Sequence, residues 1–181
     1  LINYGNAQVL NSEPDLKILT LRDQVFVRSI PMKFSFPNNN REFIEEIVFT
    51  LNRDNKINDV AFSLSELAIQ DIMEHDRWPD ENKLMLIQFM ENYKTAYALE
   101  RLDYIESIFA DNALIIVGKK LKKSEPIDGM YEAIDKKYNI KYIRLSKQEY
   151  IERLGHVFKG NEFVNLHFED NQVKKKGKDN I

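Results

Sequence analysis

The spacing of apolar residues changes along this chain, and that change limits the fold more than any other feature. Between Val25 and Phe36 the residues Ile30, Met32, Phe34 and Phe36 recur at every second position, interrupted by Arg28, Lys33 and Ser35. Such alternation predicts a half-buried strand. Pro31 has no N–H, which predicts an edge position or a bulge, and residues 37–40 read as a loop. Further on, Ile47, Val48, Phe49 and Leu51 lead into Asn52-Arg53-Asp54-Asn55-Lys56. Val60, Phe62 and Leu64 then alternate with Asp59, Ala61 and Ser63. This is a hairpin turning on residues that tolerate positive φ.

Beyond Leu64 the spacing becomes three and four. Ser63 with Glu66 forms a capping-box pattern for a short helix toward Glu74. Pro79, Asp80 and Glu81 suit the first turn of a long helix. Along it Leu86, Met90, Tyr93 and Tyr97 form an apolar stripe, widened by Leu84, Ile87 and Phe89, for about six turns. Asp103 is the expected N-cap of a short helix that buries Ile105, Ile108 and Phe109. Residues 113–117 read as a buried strand closed by Gly118, and 119–128 as a loop. Residues 130–138 are ambiguous, with a helical turn as one reading. Residues 141–145 read as a strand. Ser146 with Glu149 is a second capping box, opening a helix with Tyr150, Ile151, Leu154, Val157 and Phe158 that Gly160 ends as C′. Residues 163–168 read as a further strand, and 169–171 as a turn. Helices gathered against a curved, mostly antiparallel sheet, behind a strand-rich N-terminal unit, make an α+β fold.

Composition narrows the function classes. The 26 Lys and Arg against 29 Asp and Glu leave a net charge of −3, so no global charge favours nucleic acid as a partner. The apolar runs are too short for a transmembrane segment. The absence of cysteine excludes disulfides and thiolate metal sites. No phosphate loop, nucleophile motif or zinc spacing occurs, so no cofactor and no metal is expected. The chain begins at Leu1 rather than Met, which reads as a processed or excised piece, with export to the periplasm or cell envelope expected if a signal was removed ahead of it.

Residues 84–118, LMLIQFMENYKTAYALERLDYIESIFADNALIIVG, run from a long amphipathic helix through a Leu-Asp step into a short helix, then Phe-Ala-Asp-Asn-Ala and a strand. This resembles the opening of the nuclear-transport-factor-two-like and ketosteroid-isomerase-like superfamily of cone-shaped, cystatin-like α+β folds. The helix at 146–159 matches the third helix of such a fold. Residues 41–64, REFIEEIVFTLNRDNKINDVAFSL, look like the closing hairpin of the same fold. The resemblance therefore implies a strand-rich unit at 1–76, like the closing sheet of one cone, and a cone-like unit at 77–181 that lacks its last strands. Either the chain is a piece of a longer tandem protein, or the two halves combine into one sheet. The chain also resembles uncharacterised bacterial proteins, exported ones among them, a likeness that carries no activity with it.

In that superfamily ligands enter the hollow between sheet and helices, where Asp, Tyr and His side chains do the chemistry of its enzymes. Tyr93 and Tyr97, one turn apart, are candidates to face it, although tyrosine on an apolar helical face is ordinarily core with its hydroxyl satisfied. Val164, Leu166 and Phe168 share one face of the strand at 163–168, so Asn165 and His167 take the other. If that face lines the hollow, His167 is a candidate general base and Asn165 a substrate-orienting group. Asp103 and Asp111 fit capping and turn positions, and His156 the C-terminal end of its helix. Glu74-His75-Asp76 point in different directions and make a poor metal site. The sheet candidates carry few buried acids, which sets this sequence apart from the superfamily's enzymes. The expectation is a non-catalytic binding or assembly module for a small apolar ligand or a protein partner. The alternative is a small isomerase-, dehydratase- or hydrolase-like enzyme. The resemblance also implies a homodimer formed through the open sheet face.

Overall fold

The computed structural model describes residues 6–22, 24–36, 41–74, 78–121, 133–135, 140–161 and 163–168. Among them are eight strands and four helices, in two compact units formed by 1–100 with 163–181 and by 101–162. Both sheets are antiparallel and open, with helices packed on them, an α+β fold. The expected loop at 37–40, the turn at 169–171 and residues 122–128 of the loop expected at 119–128 lie outside the described residues, while Lys119 and Lys120 of that expected loop are strand.

The first unit is built on one long strand. β1 (Asn6–Val9), β2 (Lys17–Leu21), β3 (Gln24–Phe36), β4 (Arg41–Leu51) and β5 (Ile57–Phe62) form one sheet. β4 lies along one side of β3, and β1 and β2 share the other, pairing with residues 32–35 and 24–28. Pro31 falls in the gap between those two stretches, directly after a bulge between Val27 and Ile30 where Ser29 takes φ 65°. The strand thus changes neighbours where proline could not have donated to a ladder. The β4–β5 turn is held by the Asn52 side chain, whose Oδ1 accepts from the Asp54 and Lys56 amides at 3.0 Å each. Asn55 takes the left-handed conformation at φ 57°.

One sheet face carries an aromatic cluster. Phe34 and Phe43 stack at 5.1 Å, Phe62 tilts against Phe34 at 5.4 Å, and Phe163 stacks on Phe43 at 4.1 Å. Ala98 and Leu99 complete its cover. The same face continues as an apolar surface across four strands, half-buried at Val27 and Phe49, of which Phe49 also packs against the aromatic cluster. Ile18, Val27, Phe49 and Val60 lie opposite one another in a row, with Val25, Leu51 and Ile57 in the next. Ile18 is 64% exposed, Ile57 61% and Val60 40%.

Two helices cover the β5 side of the unit. α1 (Glu66–Met73) is capped by Ser65, whose hydroxyl accepts from the Ala68 amide. The expected cap, Ser63, is instead buried at the end of β5 and bound by Arg28. α2 (Asp80–Ala98) follows Pro79 as expected. Its buried face matches the expected one in part: Ile87 and Tyr97 are buried, Leu84, Leu86, Met90 and Tyr93 are half-buried and Phe89 is exposed, while Lys83, Glu91, Lys94, Thr95 and Ala98 are buried as well.

That buried stripe is polar because it replaces a strand. The β5 edge presents backbone groups that no neighbouring strand takes up, and α2 supplies side chains in its stead. Thr95 Oγ1 accepts from the Phe62 amide at 2.8 Å and Glu91 Oε1 from the Leu64 amide at 3.0 Å. Lys94 Nζ donates to the Ser63 carbonyl at 3.0 Å. Arg28 reaches up from β3 to grip both Glu91 carboxylate oxygens, one of them at 2.9 Å. Lys83 donates to the Met73 carbonyl at the C-terminal end of α1. Among the described residues no buried side-chain nitrogen or oxygen lacks a partner. The long helix therefore belongs with the N-terminal sheet, and compactness breaks at 100/101, whereas the resemblance implies a boundary at 76/77.

In the second unit, β6 (Leu114–Lys120), β7 (Ala133–Asp135) and β8 (Ile140–Ser146) form a sheet in the order β6-β8-β7. Among the described residues no strand of one sheet pairs with a strand of the other. The strand β7 occupies part of the stretch where a helical turn was one reading. Leu114 and Ile116 are 61% and 55% exposed, so β6 is not the buried strand its composition suggests. Gly118 does not close it but pairs with Tyr142. A Cβ on Gly118 would sit 3.0 Å from Ile140 Cγ2, so its bareness lets the neighbouring side chains close over it. α3 (Leu102–Ile108) starts from Arg101, with Asp103 in its first turn rather than at its cap. α4 (Lys147–Gly160) has the expected capping box and buries Ile151, Leu154 and Phe158. Gly160 is its last residue, and the chain leaves through extended Asn161 instead of a left-handed glycine.

Three outcomes follow from this packing. Glu91→Leu should destabilise the protein by about 3–5 kcal/mol in urea unfolding, because Arg28 is left buried and unpaired; Arg28→Met added to it should recover much of the loss. Thr95→Val, of nearly the same shape, should cost about 1–3 kcal/mol by orphaning the Phe62 amide, and hydrogen exchange at that amide should accelerate. Ser146→Ala should cost about 1 kcal/mol by removing the α4 cap. The Ser146 backbone N–H and then its hydroxyl hold the Glu149 carboxyl below its ordinary value. That contribution is present above the unfolded carboxylate range and lost as pH falls through the folded value, so the gap between wild type and Ser146→Ala should narrow in acid to the part carried by the Glu149 amide bond to the hydroxyl.

Candidate functional site

Ser63-Leu64-Ser65-Glu66 carry the chain from β5 into α1, and this crossing separates two clefts of about 360 Å³ each in the first unit. The first is walled by Ile44 and Glu45 of β4, Lys94 of α2, and Leu166, His167 and Phe168. The second lies between β2, β3 and α1, over Leu19, Arg28, Ile69 and Ile87. Glu46 and Glu66 line both.

The charges of the first cleft are largely spoken for within the protein. Lys94 Nζ meets Glu45 Oε2 at 2.6 Å, with both side chains at least nine-tenths buried. The other Glu45 oxygen accepts from Asn165 Nδ2 at 2.9 Å. That amide also lies 3.1 Å from His167 Nε2, to which it donates when this nitrogen carries no proton. A chain thus runs from His167 through Asn165 and Glu45 to Lys94 and the Ser63 carbonyl. Across the second cleft, Lys17 of β2 pairs with Glu66 of α1 at 2.7 Å, both exposed. The hydrogen bond and the charge of Glu66 raise the Lys17 ammonium above its ordinary value, and Lys17 lowers the Glu66 carboxyl in return.

The four candidate pocket residues form two separate pairs. Tyr93 and Tyr97 face each other, hydroxyls 3.0 Å apart and rings edge to face at 5.0 Å, with Tyr97 buried and Tyr93 half-buried. Neither lines the cleft that holds His167. Asn165 and His167 are exposed, and of the two His167 lines that cleft. The segment bearing them is neither helix nor strand and belongs to no ladder among the described residues, so it is not the expected sheet strand. Its alternation survives: Val164, Leu166 and Phe168 are more buried than Asn165 and His167. Asp111 is an exposed partner of Lys147 at 2.9 Å, and His156 is exposed on α4. Glu74 caps α1, while His75 and Asp76 lie outside the described residues.

The residues that organise this region, Arg28, Glu45, Glu91, Lys94 and Thr95, were not singled out by sequence. A signal was present: Lys83, Glu91 and Lys94 share a helical face with Ile87 and Ala98, a poor arrangement for a purely solvated side. No protein-family model, curated protein or solved structure matches this chain.

Removing the Lys17 ammonium should raise the Glu66 titration midpoint toward the ordinary carboxylate value, read from its carboxyl-carbon chemical shift in Lys17→Met against wild type. Because the folded Glu66 value is lowered, the tie between β2 and α1 is present at neutral pH and lost as pH falls through that value. Because the folded Lys17 value is raised, the tie is also lost as pH climbs through it. An unmoved Glu66 midpoint in the variant would show that the pair does not persist in solution.

Proposed function

We propose that this protein is a non-catalytic assembly module that associates with a second copy through the open half of its first sheet. The observation that carries the reading is the row Ile18, Val27, Phe49 and Val60 with its neighbour Ile57, an apolar row crossing four strands whose outer members Ile18, Val60 and Ile57 are exposed and whose central members Val27 and Phe49 are half-buried. Contiguous exposed apolar surface of this kind marks interaction sites. Two such faces stack naturally in an aligned sheet-on-sheet arrangement about 10 Å apart. Four strands make a patch roughly 14–19 Å wide. Two residue rows about 7 Å apart across that width make on the order of 100–130 Å² in projection, well short of the about 800 Å² per partner of a standard interface, so the association should be weak.

A catalytic reading would need Tyr93 or Tyr97, His167 and an acid around one hollow. The tyrosines instead face each other and His167 faces Asn165, so binding has the better support. For the cone-like kinship, the order α2, α3, β6, β8, α4 is the support. The attachment of α2 to the N-terminal sheet is a feature that kinship does not supply.

Light scattering tests the proposal. At about 0.5 mM, enough to populate a complex of roughly millimolar affinity, the mass should rise above the monomer value. Ile18→Lys with Val60→Lys should stay monomeric with unchanged circular dichroism. A wild-type chain that is monomeric throughout overturns the reading.

A further inference from the structure

Residues 163–168 have an unusual place in the fold. The preceding stretch, 101–162, forms its own compact unit, yet this segment belongs to the first one. It gains no ladder hydrogen bonds there among the described residues, and its side chains make the contacts that hold it. Phe163 enters the aromatic cluster, 4.1 Å from Phe43 and 5.9 Å from Phe36. Asn165 donates to Glu45. Phe168 lies 6.3 Å from Tyr93 and against the apolar core of Leu64, Ala68, Ile72 and Ile87. The anchors are the first, third and sixth residues of an extended peptide, in the order aromatic, amide, aromatic.

The receiving surface is held in shape by contacts that do not involve the segment. Phe34, Phe36 and Phe43 stack on one another across β3 and β4. Lys94 holds one Glu45 oxygen, and is itself fixed by the Ser63 carbonyl, so the second oxygen is presented in a set direction. Preorganised pockets for spaced side chains, with a fixed acceptor between them, are what recognition of an extended peptide requires.

We propose that the first unit carries a peptide-recognition groove for extended segments of the pattern Phe-x-Asn-x-x-Phe, and that residues 163–168 occupy it in cis. This surface is the covered half of the sheet face and is distinct from the open half assigned to self-association. The occupant is a segment of this chain, and a peptide of the same sequence competes for the groove.

The test uses the full chain with its own segment disabled, Phe163→Ser with Phe168→Ser, and a fluorescein-labelled, amidated peptide Phe-Val-Asn-Leu-His-Phe. Anisotropy should show saturable binding to this variant at least tenfold tighter than to wild type, whose groove is filled. Replacing the peptide asparagine by alanine should weaken binding by about tenfold, the value of one hydrogen bond to a charged acceptor. No saturable binding to a variant that retains cooperative unfolding overturns the proposal. If the double variant does not fold, Asn165→Ala replaces it. The labelled peptide must then bind that chain more tightly than wild type, and equal or absent binding overturns the proposal.

Discussion

The first unit depends on a helix standing in for a strand. A sheet edge leaves a row of amides and carbonyls that must find partners once water is excluded. Here the partners at the end of β5 are side chains of α2: Thr95 for Phe62, Glu91 for Leu64 and Lys94 for the Ser63 carbonyl. Taking Glu91 and Lys94 out of water is costly unless each meets an opposite charge, so Arg28 and Glu45 follow from the same requirement. An ion pair of this kind adds little net stability against a well-packed apolar substitute. Its weight lies in fixing one register of helix against sheet, since sliding α2 by a turn would strand both charges and the backbone groups together. The bulge at Ser29 belongs to the same device, because it lies beside Arg28, the residue β3 sends to Glu91.

That device also explains which parts of the fold could be read from sequence. Strands with one dry face announce themselves by alternation, and β3, β4 and β5 do so. The α4 cap is likewise legible, because Ser146 and Glu149 satisfy each other locally without help from elsewhere in the fold. The face of α2 is another matter. Leu86, Met90, Tyr93 and Tyr97 form the obvious stripe, and periodicity alone assigns it to the core. Lys83, Glu91 and Lys94 look like a solvated side until the partners from distant strands are known. Likewise Ser63 fits a capping box by spacing, yet its hydroxyl is taken by Arg28, and Ser65 does the capping. Short β1 and β2 give no pattern, since they lie on the edge with mostly exposed side chains.

The candidate site was legible only as composition. Alternation correctly separates Asn165 and His167 from Val164, Leu166 and Phe168, because any extended chain laid on a surface shows the same period as a sheet strand. Periodicity cannot tell a ladder-bonded strand from one held by side chains, and here it is the second. Nor can it tell that Tyr93 and Tyr97 would direct their hydroxyls at each other. Both distinctions depend on contacts between residues far apart in the chain, such as Asn165 with Glu45.

The distribution of polar and apolar groups then bears on function. Catalysis by acid–base chemistry needs ionisable groups whose partners leave them available to a substrate. In the first unit the buried charges are instead committed to one another and to backbone: Arg28 to Glu91, Lys94 to Glu45, Lys83 to the end of α1. What the sheet offers outward is apolar. Half of its face is filled by Phe163, Ala98 and Leu99, and the other half runs from exposed Ile18 through half-buried Val27 and Phe49 to exposed Val60. A surface of that kind gains free energy by excluding water from a complementary surface, with strand spacing setting the geometry. The polar interior fixes the scaffold, and the exposed rows of the sheet are where association would act.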